Sequence, residues 1–211
     1  MKKHLVLISC IAATIHSTSA QTVSQPKAAQ PAVRSTDPSL PANGTGVLYV
    51  DVAPWATPRS MKELVNLSPL IIEGVVEKVM PSRESSPRIV ETDSLITITR
   101  IIKGPAVGSA VVVSQAGGTI GNATVKPAQY SLLQKGDRYV LFLQADERSV
   151  SPPTPGFKRY TVTGASSGLF FFGTDDLMHV NADEPDRLRK NYEGASRTSI
   201  VDLVKMTVAA Q

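Results

Sequence analysis

The sequence predicts a mainly β domain: a small closed or nearly closed antiparallel barrel, with a short helix before it and a second helix at its C-terminal end. Three observations predict it. Short β-branched runs recur from residue 70 to residue 180, Gly and Pro turns separate them, and helical spacing is confined to the two ends.

Residues 47–52 (VLYVDV) form a possible first strand. Ser60-Met-Lys-Glu63 has capping-box spacing, in which the serine hydroxyl accepts the N3 amide and the glutamate reaches back to the Ser60 amide. Met61, Leu64, Val65 and Leu67 supply an apolar face behind it, and Pro69 ends the short helix. Residues 70–79 are β-branched and interrupted by Gly74, which marks a bulge or bend. A polar loop over 80–87 leads to a strand over 92–102. There Ile96, Ile98 and Ile102 are expected on one face, with Thr97 and Thr99 on the other.

Lys103-Gly-Pro105 forces a turn before a third strand over 109–115, and Gly117-Gly118 opens a loop to about Lys126. The turn 131–137 leads into residues 138–144. Their inward face is Tyr139, Leu141 and Leu143, or the opposite set if a bulge shifts the register. After a Pro-rich loop at 152–155, shorter strands fall at 157–163, 169–172 and 177–180. The last element is a helix from Thr198 or Ser199 to about Ala209, with Ile200, Val201, Leu203, Val204 and Val208 on one face.

The first twenty residues carry an address. Lys2 and Lys3 precede an apolar run from Leu5 to Ile15, and Thr18 and Ala20 occupy the small-residue positions that a signal peptidase reads. The run is too short to span ~30 Å of hydrocarbon as a helix. Residues 1–20 are therefore expected to be a signal peptide cleaved after Ala20, placing the protein in the periplasm or outside the cell. A competing reading is a lipobox, Leu7-Ile-Ser-Cys10, which would anchor the chain by a lipidated Cys10. Against it, the apolar run continues past the cysteine, leaving only residues 5–9 ahead of it.

Cleavage after Ala20 removes Cys10, the single cysteine of the chain, so neither a disulfide nor a cysteine metal site is expected. It also removes Lys2 and Lys3, lowering the formal charge of +4 by two. No basic stripe with interleaved aromatics stands out, so nucleic acid is not an expected partner. Residues 21–45 are rich in Pro, Ala, Ser, Thr and Gln, and too poor in large apolar side chains to offset their ordering entropy. They read as a disordered linker ahead of a single domain over 46–211, and Trp55, between Pro54 and Pro58, reads as a staple for that linker.

The run LIIEGVVEKV, SLITITRIIKGP, VVV, GG and LLQKGDRYVLFL resembles the OB-fold barrel of the TIMP-like and netrin-like superfamily, and secreted bacterial proteins with the same strand order. Lys103-Gly104 and Gly136-Asp-Arg-Tyr139 carry the resemblance. It implies an OB-like barrel. Inhibitors of that family chelate a protease zinc through an N-terminal cysteine in a disulfide-tied scaffold. A chain beginning at Gln21 has neither, so zinc-chelating inhibition does not carry over.

Gly164-Ala-Ser-Ser-Gly168 matches G-x-S-x-G, and Asp175, Asp176 and His179 follow in Ser–Asp–His order. That motif needs a strand, a strained elbow and a helix, whereas Leu169-Phe-Phe-Phe172 is strand-like, so a Gly/Ser hairpin turn is the expected structure. Asp175, Asp176, Asp183, Glu184 and Asp186 form an acidic segment without calcium-loop spacing, read as a solvated loop. Gly117-Gly118-Thr-Ile-Gly121 lacks the Lys-Ser/Thr of a phosphate loop. Asn43-Gly-Thr45 and Asn122-Ala-Thr124 match glycosylation acceptors, coincidental in a bacterial protein.

No catalytic, cofactor or metal residue is therefore assigned. The expectation is a secreted, non-enzymatic binding module for an envelope or extracellular macromolecule, without an integral membrane segment after cleavage. The alternatives are a secreted serine hydrolase using Ser166 and His179, and a lipid-anchored envelope protein. N-terminal sequencing of the exported product should read from Gln21, and Cys10→Ala should leave its fractionation unchanged. Release of a membrane-held protein by that substitution would establish the lipobox instead.

Overall fold

A computed structural model describes residues 33–34, 46–52, 56–86, 89–147, 156–180 and 186–211. The leader 1–20, most of 21–45, Trp55, the loop 152–155, Asp183 and Glu184 lie outside the described residues. In chain order the elements are β1 (Val33–Arg34), β2 (Gly46–Val52), α1 (Met61–Leu67), β3 (Leu70–Val79), β4 (Arg83–Ser86), β5 (Ile89–Lys103), β6 (Ala110–Ala116), β7 (Gly118–Ile120) and β8 (Ala123–Pro127). There follow β9 (Arg138–Ala145), β10 (Arg159–Val162), a 3₁₀ turn (Ala165–Gly168), β11 (Leu169–Phe172), β12 (Met178–His179), α2 (Arg187–Lys190) and α3 (Arg197–Ala209).

β3 pairs antiparallel with β5 on one side and with β9 on the other. β5 pairs antiparallel with β6, β6 takes β10 in parallel, and β10 returns antiparallel to β9, which closes a five-stranded OB-like barrel. Its interior holds Leu70, Ile72, Val76, Ile96, Val111, Val113, Tyr139, Leu141, Leu143 and Tyr160. Outside the barrel wall, Ile71, Val140, Phe142, Phe170 and Phe172 pack with Met61, Leu64 and Val65 of α1 and Ile200, Val201 and Val204 of α3. Of the two faces open for residues 138–144, the Tyr139 set points inward. The opposite set serves a second core rather than solvent.

Local chemistry sets the ends of these elements. Ser60 Oγ accepts the Glu63 N–H at 3.2 Å, while Glu63 Oε2 takes the Arg59 N–H at 2.9 Å instead of the expected Ser60 N–H. Lys103 Nζ donates to Val65 O at 2.7 Å, serving a carbonyl of the last turn of α1. Gly104 then turns the chain at φ +104°, where a Cβ would lie 2.5 Å from Pro69 O. At the Gly136-Asp137 turn, Gly136 N–H donates to Val76 O and Val76 N–H to Asp137 O, both at 2.9 Å, docking the turn on β3. α3 begins at Arg197, one or two residues ahead of the expected Thr198 or Ser199, because Ser196 accepts the Ser199 N–H at 3.2 Å.

Four expectations change. The polar loop 80–87 contains β4, which pairs with the start of β5, three residues earlier than predicted. The 117–126 loop contains a hairpin, β7–β8, and β8 runs parallel to β2 in a second, smaller sheet to which Val33–Arg34 also pair. Ile102 does not share the face of Ile96 and Ile98. Glu73 pairs with Arg100 and Gly74 with Ile98, so Thr99 is an extra residue on β5. Ile101 thereby faces the barrel and Ile102 the helices. Residues 163–168 are not a hairpin, because β10 and β11 are successive pieces of one line running antiparallel to β9, with the 3₁₀ turn as an excursion between them. No helix among the described residues is long and apolar enough to cross a membrane.

Phe142 is fully buried between the barrel wall and the helices. Phe142→Ala is expected to lower stability by about 3–5 kcal/mol in urea unfolding. Met206→Ala, on the exposed side of α3 at 71 % exposure, should stay within about 0.5 kcal/mol of the parent.

Candidate functional site

The excursion that interrupts the β9 edge builds a cleft. Gly164 and Ala165 take left-handed conformations at φ 67° and 53°, the second uncommon for a residue with a Cβ. Gly168 closes the excursion against the strand, where a Cβ would meet Thr163 O at 2.6 Å and Phe142 O at 3.0 Å. Between them, Ser166 Oγ and Ser167 Oγ donate to one oxygen of Asp186, at 2.9 and 2.7 Å. The other oxygen accepts the Arg189 N–H at 3.1 Å, so Asp186 also caps α2. The cleft encloses about 460 Å³, with Pro58 and Leu188 as apolar lining and Arg59, Gln129, Arg187 and Asn191 as polar groups around the serines.

Arg189 stands behind this arrangement. It is 3 % exposed, its Nη1 donates to Leu169 O at 3.0 Å, and its Nε lies 3.7 Å from Asp186. Burial pulls its pKa down to about 10, opposed by the neighbouring Tyr139 and Glu193. Arg189 also lines a second cleft of about 300 Å³ with Asp137, Tyr139, Phe171 and His179. The Tyr139 hydroxyl donates to Asp137 at 3.2 Å, and burial with that carboxylate raises its pKa. Phe171 lies between Tyr139 and His179, with ring centroids 5.5 and 6.2 Å away.

Ser166 and His179 are therefore placed in different clefts with different carboxylates. His179 Nε2 lies 3.0 Å from Asp175, while the Ser166 hydroxyl is taken by Asp186. The residue held at positive φ is Ala165 rather than Ser166, and the excursion leads into a strand rather than a helix. The described carboxylates of the acidic segment diverge too. Asp175 pairs with His179, Asp176 accepts Arg197 Nε at 2.6 Å, and Asp186 holds the two serines. Among the described residues no group of three or more His, Cys, Asp or Glu is placed to hold a metal ion.

A buried ionic network lies elsewhere, on the outer face of β5, β6 and β10. Arg159 Nη2 reaches Glu91 at 3.2 Å, Asp93 at 3.1 Å and Ser114 at 3.0 Å, with Asp146 3.2 Å from its Nε. Arg83 meets Glu91 and Asp93 from β4 at 3.3 and 3.1 Å. The sequence signal is the outward phase of Glu91 and Asp93 within β5. What identifies it as a network is the closure of the barrel, which brings β10 beside β6. In the same way, Asp186 has the type and place of a helix cap, but nothing local pairs it with Ser166 and Ser167.

Compared with known proteins, the chain matches no family model and no curated protein.

Two of these carboxylates set an acid limit on stability. The hydrogen bond from Arg197 holds Asp176 below its ordinary 3.8, and that from His179 does the same for Asp175. The unfolded chain therefore binds these protons first as pH falls. The stabilisation is fully present above about pH 5 and is lost as pH falls through the depressed folded values. In urea unfolding followed from pH 6 to pH 2, Asp176→Asn should show a shallower acid loss than the parent.

Proposed function

We propose that the protein is an exported, non-enzymatic binding module of the bacterial envelope or extracellular space, which holds another macromolecule through the loops around the Ser166 cleft. The observation that carries this reading is the shared acceptor of the two serines. A hydroxyl that donates to a buried carboxylate already serving two other N–H and O–H donors is fixed in place as part of a polar wall. Around it, guanidinium and amide side chains rim an apolar patch, a composition suited to recognition by shape and hydrogen bonding. The export signal and the OB-like pattern, resembling secreted TIMP-like and netrin-like barrels, support the setting. They do not specify the ligand, because one fold hosts many functions.

The rival reading is hydrolysis by Ser166 with His179, and a serine-directed fluorophosphonate probe separates the two. The expected result is no labelling above that of Ser166→Ala, and Ser166-dependent labelling overturns the proposal. In parallel, capture of a partner from the native envelope fraction should be lost in the doubly reversed Arg59→Glu, Arg187→Glu variant, both positions being exposed. Capture unaffected by that reversal would move the binding surface away from this cleft.

A further inference from the structure

A third cleft, lined by residues of β3, β5, β9 and α3, is built around a carboxylate with an open hydrogen-bonding position. Glu73 projects outward from β3, where its side chain is 10 % exposed. One oxygen pairs with Arg197 at the start of α3. The other, Oε2, is buried with no hydrogen-bond donor among the described residues, and Arg100 Nε stands 3.7 Å from it. Such an oxygen costs stability unless a donor reaches it.

The surroundings are basic. Arg100 lies opposite Glu73 on β5, and Arg138 lies opposite Val75 on β9. The two arginines thus flank β3 from strands about 10 Å apart. Arg197 is held by Glu73 and Asp176, whereas the exposed Arg138 side chain makes no direct hydrogen bond within the described residues and acts on Asp176 only through its charge. The three guanidiniums outnumber the two carboxylates by one. The cleft encloses about 360 Å³, within the ordinary range of small-molecule sites.

From this juxtaposition we infer a binding site for a hydroxy-carboxylate: the ligand's carboxylate sits between Arg138 and Arg100, and its hydroxyl donates to Glu73 Oε2. A bare anion would satisfy the arginines and leave Oε2 open, with its charge facing the glutamate. A cationic donor would suit the glutamate but meet three guanidiniums. A hydroxyl beside a carboxylate meets both demands. The site shares no lining residue with the Ser166 cleft, and it stands or falls separately from that reading.

Amide chemical-shift titration of the protein tests it with two matched pairs, L-lactate against propionate and D-glucuronate against D-glucose. The hydroxy acids are expected to shift the Glu73, Val75 and Arg138 amides at millimolar concentration. Propionate and glucose should bind about tenfold more weakly, each lacking one of the two groups. Arg138→Ala should weaken the hydroxy acid by about tenfold, and Arg138→Lys by less. Tighter binding of glucuronate than of lactate identifies a sugar acid as the source, and the reverse identifies a small hydroxy acid. Propionate binding as tightly as lactate, an unchanged affinity in Arg138→Ala, or no shift at these amides overturns the proposal.

Discussion

Burial of two adjacent strands on both faces is the constraint on which the structure depends. In β3 and β9, alternate side chains enter different cores: Ile72, Leu141 and Leu143 line the barrel, while Ile71, Val140 and Phe142 meet α1 and α3. A one-residue slip would exchange the two sets and mismatch both cores, so the register is fixed twice over. The helices are consequently part of the barrel wall's environment. Lys103, donating to a carbonyl of α1 from the end of β5, ties that layer to the strand ladder.

Much of this was readable along the chain. The apolar patterns of residues 61–67, 70–79, 138–144 and 199–209 gave element type, because helical spacing or β-branched runs there lie beside Ser, Gly or Pro signals. The parts that escaped depend on partners distant in sequence. β7 and β8 are short and sit among turn residues, and they become strands because β2 supplies a parallel edge some eighty residues earlier. The extra Thr99 on β5 is set by pairing across to Glu73 and Gly74, so a regular alternation misplaces Ile102. The leader and the linker rest on composition alone.

The sites followed the same division. Gly164-Ala-Ser-Ser-Gly168 stood out as a motif, and the structure gave it a different meaning by supplying Asp186 as the acceptor of both serines. His179 and Asp175 are four residues apart, and their contact is of the kind a local reading reaches. The arginines around Glu73 come from β5, β9 and α3 and carry no shared spacing, which is why only the folded register assembles them.

The closing strand of the barrel has a further consequence. β10 is four residues long and meets each of its two neighbours over three residue pairs, while β3 spans ten residues. The ring of hydrogen bonds is thus thinnest at β10, and Arg159 clamps that strand to Glu91, Asp93 and Asp146 across the seam. Sub-global openings are favoured where backbone hydrogen bonding is sparsest, and in this ring that place is β10, where the ionic clamp opposes separation. The barrel therefore has one lightly bonded seam, distinct from the excursion that carries Ser166.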